Sequence, residues 1–329
     1  MNILVGDIGG TQTRLALVRS SRQSLEIENL KIFKNSQFAS LETVLERFLT
    51  KDFNTVQSAC FGIAGPVIGN RCITPNLEWE VDGYRLARHL DISRTFLLND
   101  LQATALGIFE LKPSDFMVLQ EGKPDPSGNA ALIAAGTGLG EAGIHRIGDD
   151  LHPFPSEGGH TDFSPQNQVE MNLSLYLAAR YNHVSWERVV SGQGILNIYS
   201  FIRDGSTEDE PVWLREQFEK IDPAAAISKA AEEKTDTVCA AAMDLFLSLY
   251  GAEAGNVALK FLATSGLFVG GGIAPKIQPL LASSDFMKSF LNKGRMKPLL
   301  QDVPVKVILN ESTPLLGAAR HALKQMKGT

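Results

Sequence analysis

A short strand that runs into a glycine-rich turn and returns as a second strand occurs twice in this sequence. The first copy occupies residues 3–18 and turns through residues 6–11, Gly-Asp-Ile-Gly-Gly-Thr. The second occupies residues 129–146 and turns through residues 136–140, Gly-Thr-Gly-Leu-Gly. Alternating polar and apolar residues on either side of turn formers are typical of antiparallel strands. The two copies agree in chemistry more than in identity, and they favour a duplicated α/β fold.

The rest of the chain alternates between helical and strand-like stretches. Apolar residues recur on one face over residues 41–49 and predict a helix. Residues 95–98 predict a short buried strand, and residues 100–109 a helix behind it. Residues 303–309 predict a late strand, and Thr313-Pro314 begins a terminal helix. At 329 residues, the chain is long enough for two such domains.

Composition argues against several classes of protein. Lys and Arg number 31 against 37 Asp and Glu, a net charge of −6, which gives no basic footprint for nucleic acid or an anionic membrane. Cys60, Cys72 and Cys239 are too few and too scattered for a disulfide framework or a cysteine zinc site. No basic leader precedes an apolar stretch, and no run of 18 apolar residues occurs. We therefore expect a cytoplasmic protein with no nucleic-acid or membrane partner.

The first glycine turn has the chemistry of a phosphate site. Glycines allow several backbone N–H groups to point into one concavity, and Thr11 and Thr13 add hydroxyl donors. Asp7 would repel a phosphate unless a divalent cation lies between them, and Mg²⁺ fits that role. Taken alone, a Gly-Gly turn is more often a plain hairpin. The second turn, with similar chemistry, favours phosphate binding.

The other glycine clusters narrow the kind of nucleotide site. Residues 138–143 formally match the Gly-x-Gly-x-x-Gly dinucleotide pattern, but the sequence that follows is strand-like where that pattern requires a helix. A nicotinamide site is therefore not predicted, and the chain contains no P-loop motif either. Residues 266–274 form a third cluster, in which three adjacent glycines would let a flat group approach the backbone. The alternative for this cluster is a tight corner between a strand and a helix.

In this order, the motifs resemble those of bacterial glucokinase, in the hexokinase–actin superfamily, along nearly the whole chain. The three glycine clusters are similar to its two phosphate motifs and its adenosine motif. The other matching segments are Leu98-Asn99-Asp100, Glu157-Gly158-Gly159-His160, and Trp186-Glu187-Arg188 leading into Ser191-Gly192. The related repressor–kinase family adds a cysteine zinc cluster after the histidine. Residues 161–165 read Thr-Asp-Phe-Ser-Pro here, so no zinc is implied.

The resemblance implies a duplicated, two-domain α/β fold of the actin/hexokinase (ribonuclease-H-like) type, with a cleft between the domains. It places a small domain at residues 1–110 plus about 301–329, and a large domain at residues 111–300. It also implies a homodimer, ATP as the phosphoryl donor, and Mg²⁺.

Phosphoryl transfer requires a group that accepts the proton of the attacking hydroxyl. Asp100, at a strand end, is the candidate catalytic base, although its position alone fits a helix N-cap equally well. A sugar is recognised by donors and acceptors that would be left unpaired with the wrong sugar. The resemblance assigns this role to Asn99, Asp100, Glu157, His160 and Glu187. For Glu187 the assignment rests on the resemblance alone, since a single glutamate at the start of a helix is more often an exposed, solvated side chain.

The resemblance also assigns the nucleotide site. Mg²⁺ is expected near Asp7, bound through water. The expected ATP-binding residues are Gly6, Asp7, Ile8, Gly9, Gly10, Thr11, Thr137, Gly138, Gly270 and Gly271.

The implied reaction is ATP-dependent phosphorylation of the primary hydroxyl of D-glucose. Another hexose, such as mannose or fructose, or an N-acylated amino sugar would change only one or two hydrogen bonds. A sugar-binding regulator without turnover is an alternative from a different class, but Asp100 and the glycine turns are intact. An actin-like filament protein or chaperone ATPase is a third possibility, which would hydrolyse ATP in the absence of sugar.

Overall fold

A computed structural model describes residues 1–21, 24–49, 56–74, 77–148, 150–207 and 209–327. The strands are β1 (Asn2–Ile8), β2 (Gln12–Ser20), β3 (Leu25–Lys34), β4 (Val56–Ile63), β5 (Arg71–Ile73), β6 (Glu80–Asp82), β7 (Thr95–Asn99), β8 (Phe116–Gln120), β9 (Ala130–Ala135), β10 (Leu139–Ile147), β11 (Asp150–Ser156), β12 (Gly266–Gly270) and β13 (Val305–Ile308). The helices are α1 (Leu41–Phe48), α2 (Gly83–His89), α3 (Asp100–Gly107), α4 (Gln168–Ala178), α5 (Gly192–Asp204), α6 (Val212–Lys220), α7 (Pro223–Glu232), α8 (Thr237–Lys260), α9 (Gln278–Ser283), α10 (Phe286–Leu291), α11 (Lys297–Asp302) and α12 (Thr313–Lys327).

The chain divides into two compact units. The first comprises Met1–Asp115, Pro153–Pro155 and Asn310–Thr329, and the second comprises Phe116–His152 and Ser156–Leu309. Strand β13 pairs with β12 and β8 in the second unit, whereas the sequence analysis grouped residues from about 301 onward with the small domain. Strand β13 and helix α12 are adjacent in the chain but belong to different units. The sequence carries no linker between them that would mark this boundary.

The first unit is built on a five-stranded sheet in the order β3-β2-β1-β4-β7. Strands β1, β2 and β3 are antiparallel, and β4 and β7 continue the sheet parallel to β1. Successive side chains of β1 point to opposite faces of the sheet, and both faces are buried. Leu4 and Ile8 pack in the core that contains α1, and Ile3 and Val5 pack in the core that contains α12. This arrangement explains why the first strand is apolar on both of its faces.

Helices α3 and α12 cover the same face of this sheet and lie in close contact. A Cβ atom added to Gly317 would collide with the carbonyl of Ala103, and one added to Gly107 would collide with the carbonyl of Thr313. Glycine at these two positions therefore allows the two helix backbones to approach each other.

The second unit repeats the topology of the first. Its sheet has the order β11-β10-β9-β12-β13-β8. Its first five strands follow the same pattern as the first sheet, with β9 in the place of β1 and β12 and β13 in the places of β4 and β7. Strand β8 is an additional antiparallel edge strand next to β13. The duplication predicted from the two glycine-turn modules is therefore confirmed in the strand order.

Helix α8 is long and apolar enough, by length and composition, to pass as a candidate membrane span. However, 61% of its apolar window is buried inside the protein. Phe246, Tyr250 and Val257 of this helix are fully buried in the core of the second unit. Its apolar composition is thus that of a core helix, most of whose surface is packed against the second unit.

Candidate active site

In the first unit, three parallel strands end at the same edge of the sheet. Ile8 at the end of β1 lies opposite Ile63 at the end of β4, and Ile63 lies opposite Asn99 at the end of β7. The carboxyl ends of parallel strands are where open α/β sheets bind their ligands. The register therefore places Asn99 and Asp100 on the same edge as the first glycine turn.

The first turn is narrower than the sequence analysis expected. Gly6, Asp7 and Ile8 belong to β1 rather than to the turn, and Gly6 is buried so tightly that an added Cβ would lie 2.6 Å from the Phe61 ring. The turn itself comprises Gly9, Gly10 and Thr11, with Gly10 and Thr11 exposed. The N–H of Gly9 donates to the carbonyl of Gln12 at 3.0 Å. The backbone donors of this turn that can meet a ligand are therefore those of Gly10 and Thr11, while residues 6–8 fix their position.

Asn35 holds the first turn in place. Its side-chain amide donates to the carbonyl of Gly9 at 2.8 Å, and its amide oxygen accepts from the Thr13 hydroxyl at 2.8 Å. The backbone N–H of Asn35 donates to the carbonyl of Thr11 at 3.0 Å. Asn35 is only 2% exposed. Asn35 was not predicted, because it follows β3 in the sequence and no neighbouring residue type indicates a contact with the first turn.

Asp7, the candidate magnesium residue, is bound by Arg14 across the hairpin. The Arg14 Nε and Nη2 atoms donate to Asp7 Oδ2 at 3.0 and 2.5 Å, and Arg14 Nη1 donates to the carbonyl of Glu311 at 2.8 Å. Both bonds to Asp7 end on the same oxygen. Arg14 therefore orients the carboxylate and balances its charge, and Oδ1 accepts no hydrogen bond from the residues that the structure describes.

Asp100, the candidate base, is the first residue of α3, and Asn99 is the residue that caps this helix. The Asn99 side chain accepts from the N–H of Leu101 at 3.0 Å and donates to the carbonyl of Gly65 at 3.2 Å. Asp100 Oδ1 also accepts from the Leu101 N–H, at 2.9 Å. A helix N-terminus stabilises the carboxylate form of an acid at this position. The position of Asp100 in the sequence also fitted a helix N-cap. In the structure, Asn99 is the N-cap of α3.

In the second unit, the second and third glycine clusters lie side by side. Strand β12 pairs with β9, and an added Cβ on Gly271, which has φ +84°, would collide with the carbonyl of Ala135. Thr137 and Gly271 are exposed, whereas Gly270 ends β12 and is buried. The two clusters therefore form one continuous glycine-rich surface.

Tyr250 joins these two clusters from below. Its buried hydroxyl accepts from the N–H of Ala135 at 3.3 Å and donates to the carbonyl of Gly270 at 3.4 Å. Burial raises the pKa of this phenol, which stays protonated and able to donate. Tyr250 was not predicted, because it lies on α8, where the surrounding residues are those of an ordinary buried helix.

Glu187 lies against the second turn. Its Oε2 accepts from the N–H of Leu139 at 2.9 Å, and it occupies the space that a Cβ on Gly138 would need. A second link joins the same segments, because the N–H of Gly192 donates to the carbonyl of Gly136 at 2.8 Å. Glu187, a predicted sugar-binding residue, thus also binds the backbone of the predicted phosphate turn. Its sequence context favoured an exposed charge, but the side chain is half-buried.

The Glu157-to-His160 segment meets the same strand. Its short 3-10 turn packs so closely that an added Cβ on Gly159 would collide with the carbonyl of Leu139. Glu157 and His160 project outward, with side chains 89% and 61% exposed and 3.9 Å between Oε2 and Nε2. The second phosphate turn, Glu187 and this segment therefore converge on the backbone of Leu139.

A buried acidic pair lies next to this point of convergence. Glu141 is fully buried, neither of its carboxyl oxygens has a partner with normal hydrogen-bond geometry among the described residues, and an added Cβ on Gly158 would collide with Oε2. Burial, followed by the charge of Glu253, raises the pKa of Glu141 to about 8. Glu253 is also fully buried and binds Lys260 at 2.9 Å. The pair therefore retains a proton at neutral pH.

Solved structures of known proteins share this architecture. A crystal structure of glucokinase from an Antarctic psychrotroph matches with a TM-score of 0.85 at 31% identity, covering 98% of this chain and 99% of that one. A ROK family glucokinase from Streptomyces griseus, solved with glucose and AMPPNP, has a TM-score of 0.70 at 20% identity, covering 98% and 100%, and shares the fold. The paired sheets with their glycine turns thus define a sugar kinase of the actin/hexokinase-like fold.

The sequence comparisons give the family within that class. The chain matches the glucokinase family over residues 4–325. It is 45% identical to a glucokinase of Nostoc sp. over 334 residues, covering 96% of this chain and 97% of that protein. The chain belongs to the glucokinase family, and its activity is the ATP-dependent phosphorylation of glucose.

Proposed function

We propose that this protein transfers the γ-phosphoryl group of MgATP to the primary hydroxyl of D-glucose, with Asp100 as the general base. The observation that carries this assignment is the position of Asp100 within the first unit. It follows the strand whose end is in register with the end of β1, and the capping role at α3 is taken by Asn99. We propose that the carboxylate at this position accepts the proton of the sugar hydroxyl.

In this mechanism, Asp100 accepts the hydroxyl proton as the sugar oxygen bonds to the γ-phosphorus, and the bond between that phosphorus and the bridging oxygen of ADP breaks. The products are glucose 6-phosphate and MgADP, and the proton is later released from Asp100 to solvent. A carboxylate is a sufficient base because the proton needs to leave only as the new bond forms.

We propose that the glycine turns bind the nucleotide. The N–H groups of Gly10 and Thr11 in the first turn and of Thr137 and Gly138 in the second are exposed or half-buried donors suited to phosphate oxygens. The N–H of Gly9 donates to the carbonyl of Gln12 at 3.0 Å, so Gly9 is proposed to shape the turn that meets the phosphates. Gly270 and Gly271 are proposed to lie against the adenosine. The Streptomyces griseus relative, solved with AMPPNP and glucose, supports this pairing of ligands.

We propose that Mg²⁺ enters with ATP and that Asp7 contacts it through water. The described residues contain no cluster of three or more His, Cys, Asp or Glu side chains that could hold a metal ion. A single carboxylate with one oxygen bound by Arg14 suits an ion that takes most of its ligands from phosphates and water. Zinc has no part in this proposal.

We propose that Asn99, Asp100, Glu157, His160 and Glu187 bind the sugar. The exposed carboxylate of Glu157 and the exposed imidazole of His160 are able to contact ring hydroxyls. A homodimer, a cytoplasmic location and a role in glycolysis complete the proposal, and all three follow from membership of the family rather than from the geometry.

A hexose panel tests the substrate and the metal together. ATP consumption would be measured with glucose, mannose, fructose, an N-acylated amino sugar and no sugar, with and without Mg²⁺. We expect the highest kcat/KM with glucose, little turnover without sugar, and none without Mg²⁺. An equal or higher kcat/KM for another sugar would overturn the glucose assignment, and sugar-independent hydrolysis would favour an ATPase.

The Asp100→Asn substitution tests the base. We expect kcat to fall by at least about 100-fold while glucose still binds, because proton transfer is lost and the shape of the side chain is retained. The control is Asp82→Asn in the same unit, since Asp82 caps α2 through hydrogen bonds that an amide can also accept. This control should keep kcat within about twofold, and near-normal turnover of the Asp100 variant would remove Asp100 from the mechanism.

A further inference from the structure

Glu187 contacts the phosphate turn with the same carboxylate that is proposed to bind the sugar. Its Oε2 is 2.9 Å from the backbone nitrogen of Leu139, and it fills the space next to Gly138. The turn thus donates one of its N–H groups to a protein carboxylate that stands beside the proposed triphosphate site.

A negative charge at this point opposes the binding of ATP. Like charges repel across a few ångströms, and the repulsion is stronger where burial lowers the dielectric constant. Glu187 is half-buried, and its carboxylate accepts from the backbone N–H of Leu139, which carries no full positive charge. Hydroxyl groups that donate to this carboxylate would disperse its charge and weaken the repulsion.

The link between Glu187 and the turn is short and well anchored. Ser191 caps α5 and donates from its hydroxyl to the carbonyl of Glu187 at 2.7 Å. Gly192 binds the carbonyl of Gly136 at 2.8 Å, so the turn is attached to this segment at both of its ends. A displacement of Glu187 therefore changes the position of the N–H groups that face the phosphates.

We propose that Glu187 is a positioning residue that couples sugar binding to ATP binding at the second phosphate turn. Without sugar, its carboxylate holds the Leu139 N–H and disfavours the triphosphate. With sugar bound, hydroxyl donors share the carboxylate, and ATP binds more tightly. The inference rests on the proposed contact between Glu187 and the sugar.

This coupling has two consequences. ATP binds weakly when no acceptor is present, which limits wasteful hydrolysis by water. Coupling between two sites is also reciprocal, so ATP must tighten sugar binding by the same factor.

The experiment measures the Kd of magnesium AMPPNP by calorimetry, with and without saturating glucose. For the unmodified protein we expect glucose to tighten AMPPNP binding by at least about fivefold, the lower end of typical coupling between sites. For Glu187→Gln, which keeps an acceptor for the Leu139 N–H, we expect tighter AMPPNP binding without sugar and a coupling factor near one. A merely structural role for Glu187 would weaken both ligands and would not tighten AMPPNP binding.

Glu157→Gln is the matched control. Glu157 is proposed to bind the sugar, but its side chain is 89% exposed and faces His160 rather than the Leu139 N–H. We expect this variant to weaken glucose binding and to keep the coupling factor. Gly138→Ala is a second test, because its Cβ displaces the Glu187 carboxylate and should reduce the coupling without removing a charge.

The outcomes separate this inference from the proposed function. An AMPPNP Kd that glucose does not change in the unmodified protein, or a coupling factor that survives in both Glu187→Gln and Gly138→Ala, overturns the inference while glucose phosphorylation stands. Failure of the unmodified protein to phosphorylate glucose overturns the proposed function itself.

Discussion

The two sheets share one strand order, but different chemistry holds their glycine turns. In the first unit, the turn is supported by the neutral amide of Asn35 and the hydroxyl of Thr13, both buried. In the second unit, the corresponding turn is bound by the carboxylate of Glu187 and lies near the buried pair Glu141 and Glu253. The duplication therefore preserved the position of the turn and not the groups that support it.

The buried polar side chains of the two units differ in the same way. In the described part of the first unit they are neutral hydroxyls and an amide, whereas the second unit buries Glu141, Glu170 and Glu253. A neutral group responds little to pH, and a buried carboxyl group changes its proton occupancy between the folded and unfolded states. In the first unit, burial lowers the pKa of His321 below its ordinary value of 6.5. Above that value the comparison indicates that pH acts mainly through the second unit, and substitutions in both units test the comparison.

The largest expected effect is on the pH dependence of stability in Glu141→Gln. The pKa of Glu141 is raised from 4.5 to about 8, so between these values the folded protein retains a proton that the unfolded chain releases. Raising the pH through this range therefore lowers the free energy of unfolding, by up to about 1.4 kcal/mol per pH unit. Glutamine removes this titration, so the stability of the variant relative to the unmodified protein should rise steadily from pH 5 to pH 8.

The measurement is urea unfolding at several pH values. Glu232→Gln, at an exposed position of the same unit, is the control and should leave the slope unchanged. Parallel stability curves for Glu141→Gln and the unmodified protein would show that Glu141 is not the titrating group.

Asn35→Ala tests the neutral support of the first turn. The substitution leaves the carbonyl of Gly9 and the hydroxyl of Thr13 without their partner, which should cost about 2–4 kcal/mol in the free energy of unfolding. The cost should not vary between pH 5 and pH 8, since no charge is involved. We also expect a higher KM for ATP. Thr13→Ser, which retains the hydroxyl, should be much milder, and equal losses in the two variants would contradict the assignment.

The smallest effect concerns the hairpin of the first unit. Arg14→Gln removes the charge-assisted bonds to Asp7 and the bond to the carbonyl of Glu311, and we expect a loss of about 1–2 kcal/mol. Arg19→Gln on the same strand breaks only an exposed pair with Glu28 and should cost about 0.5 kcal/mol or less. Chemical denaturation of both variants gives the comparison, and similar costs would mean that Arg14 is not a structural anchor.

The features that the sequence predicted are those with local causes. Glycine turns were predicted at residues 6–11 and 136–140, and the structure keeps both but shortens them to residues 9–11 and 136–138. These turns and the strand end at Asn99-Asp100 follow from neighbouring residue types. The resemblance to a known family supplied Glu187, whose own sequence context favours a solvated charge. Its contact with the turn was not predictable, because Leu139 lies 48 residues away in the chain.

The features that the sequence did not predict depend on partners that only the fold brings together. Tyr250 binds the backbone of Ala135, which lies 115 residues away in the chain. Asn35, at the end of β3, binds Thr13 on the adjacent strand β2. Glu141 is an ordinary strand residue until burial beside Glu253 changes its protonation. Each of these effects depends on how deeply a residue is buried or on a residue far away in the sequence. Neither can be derived from the spacing of residues along the chain.

The packing of α12 against α3 has a consequence for synthesis on the ribosome. The first sheet is complete once β7 has emerged, yet one of its faces is covered only by α3 until α12 is made roughly 200 residues later. The second unit draws its sheet and helices from the intervening stretch of chain and acquires its own core before then. The core of the second unit should therefore be complete before that of the first, whose earliest strands wait for the last helix of the chain.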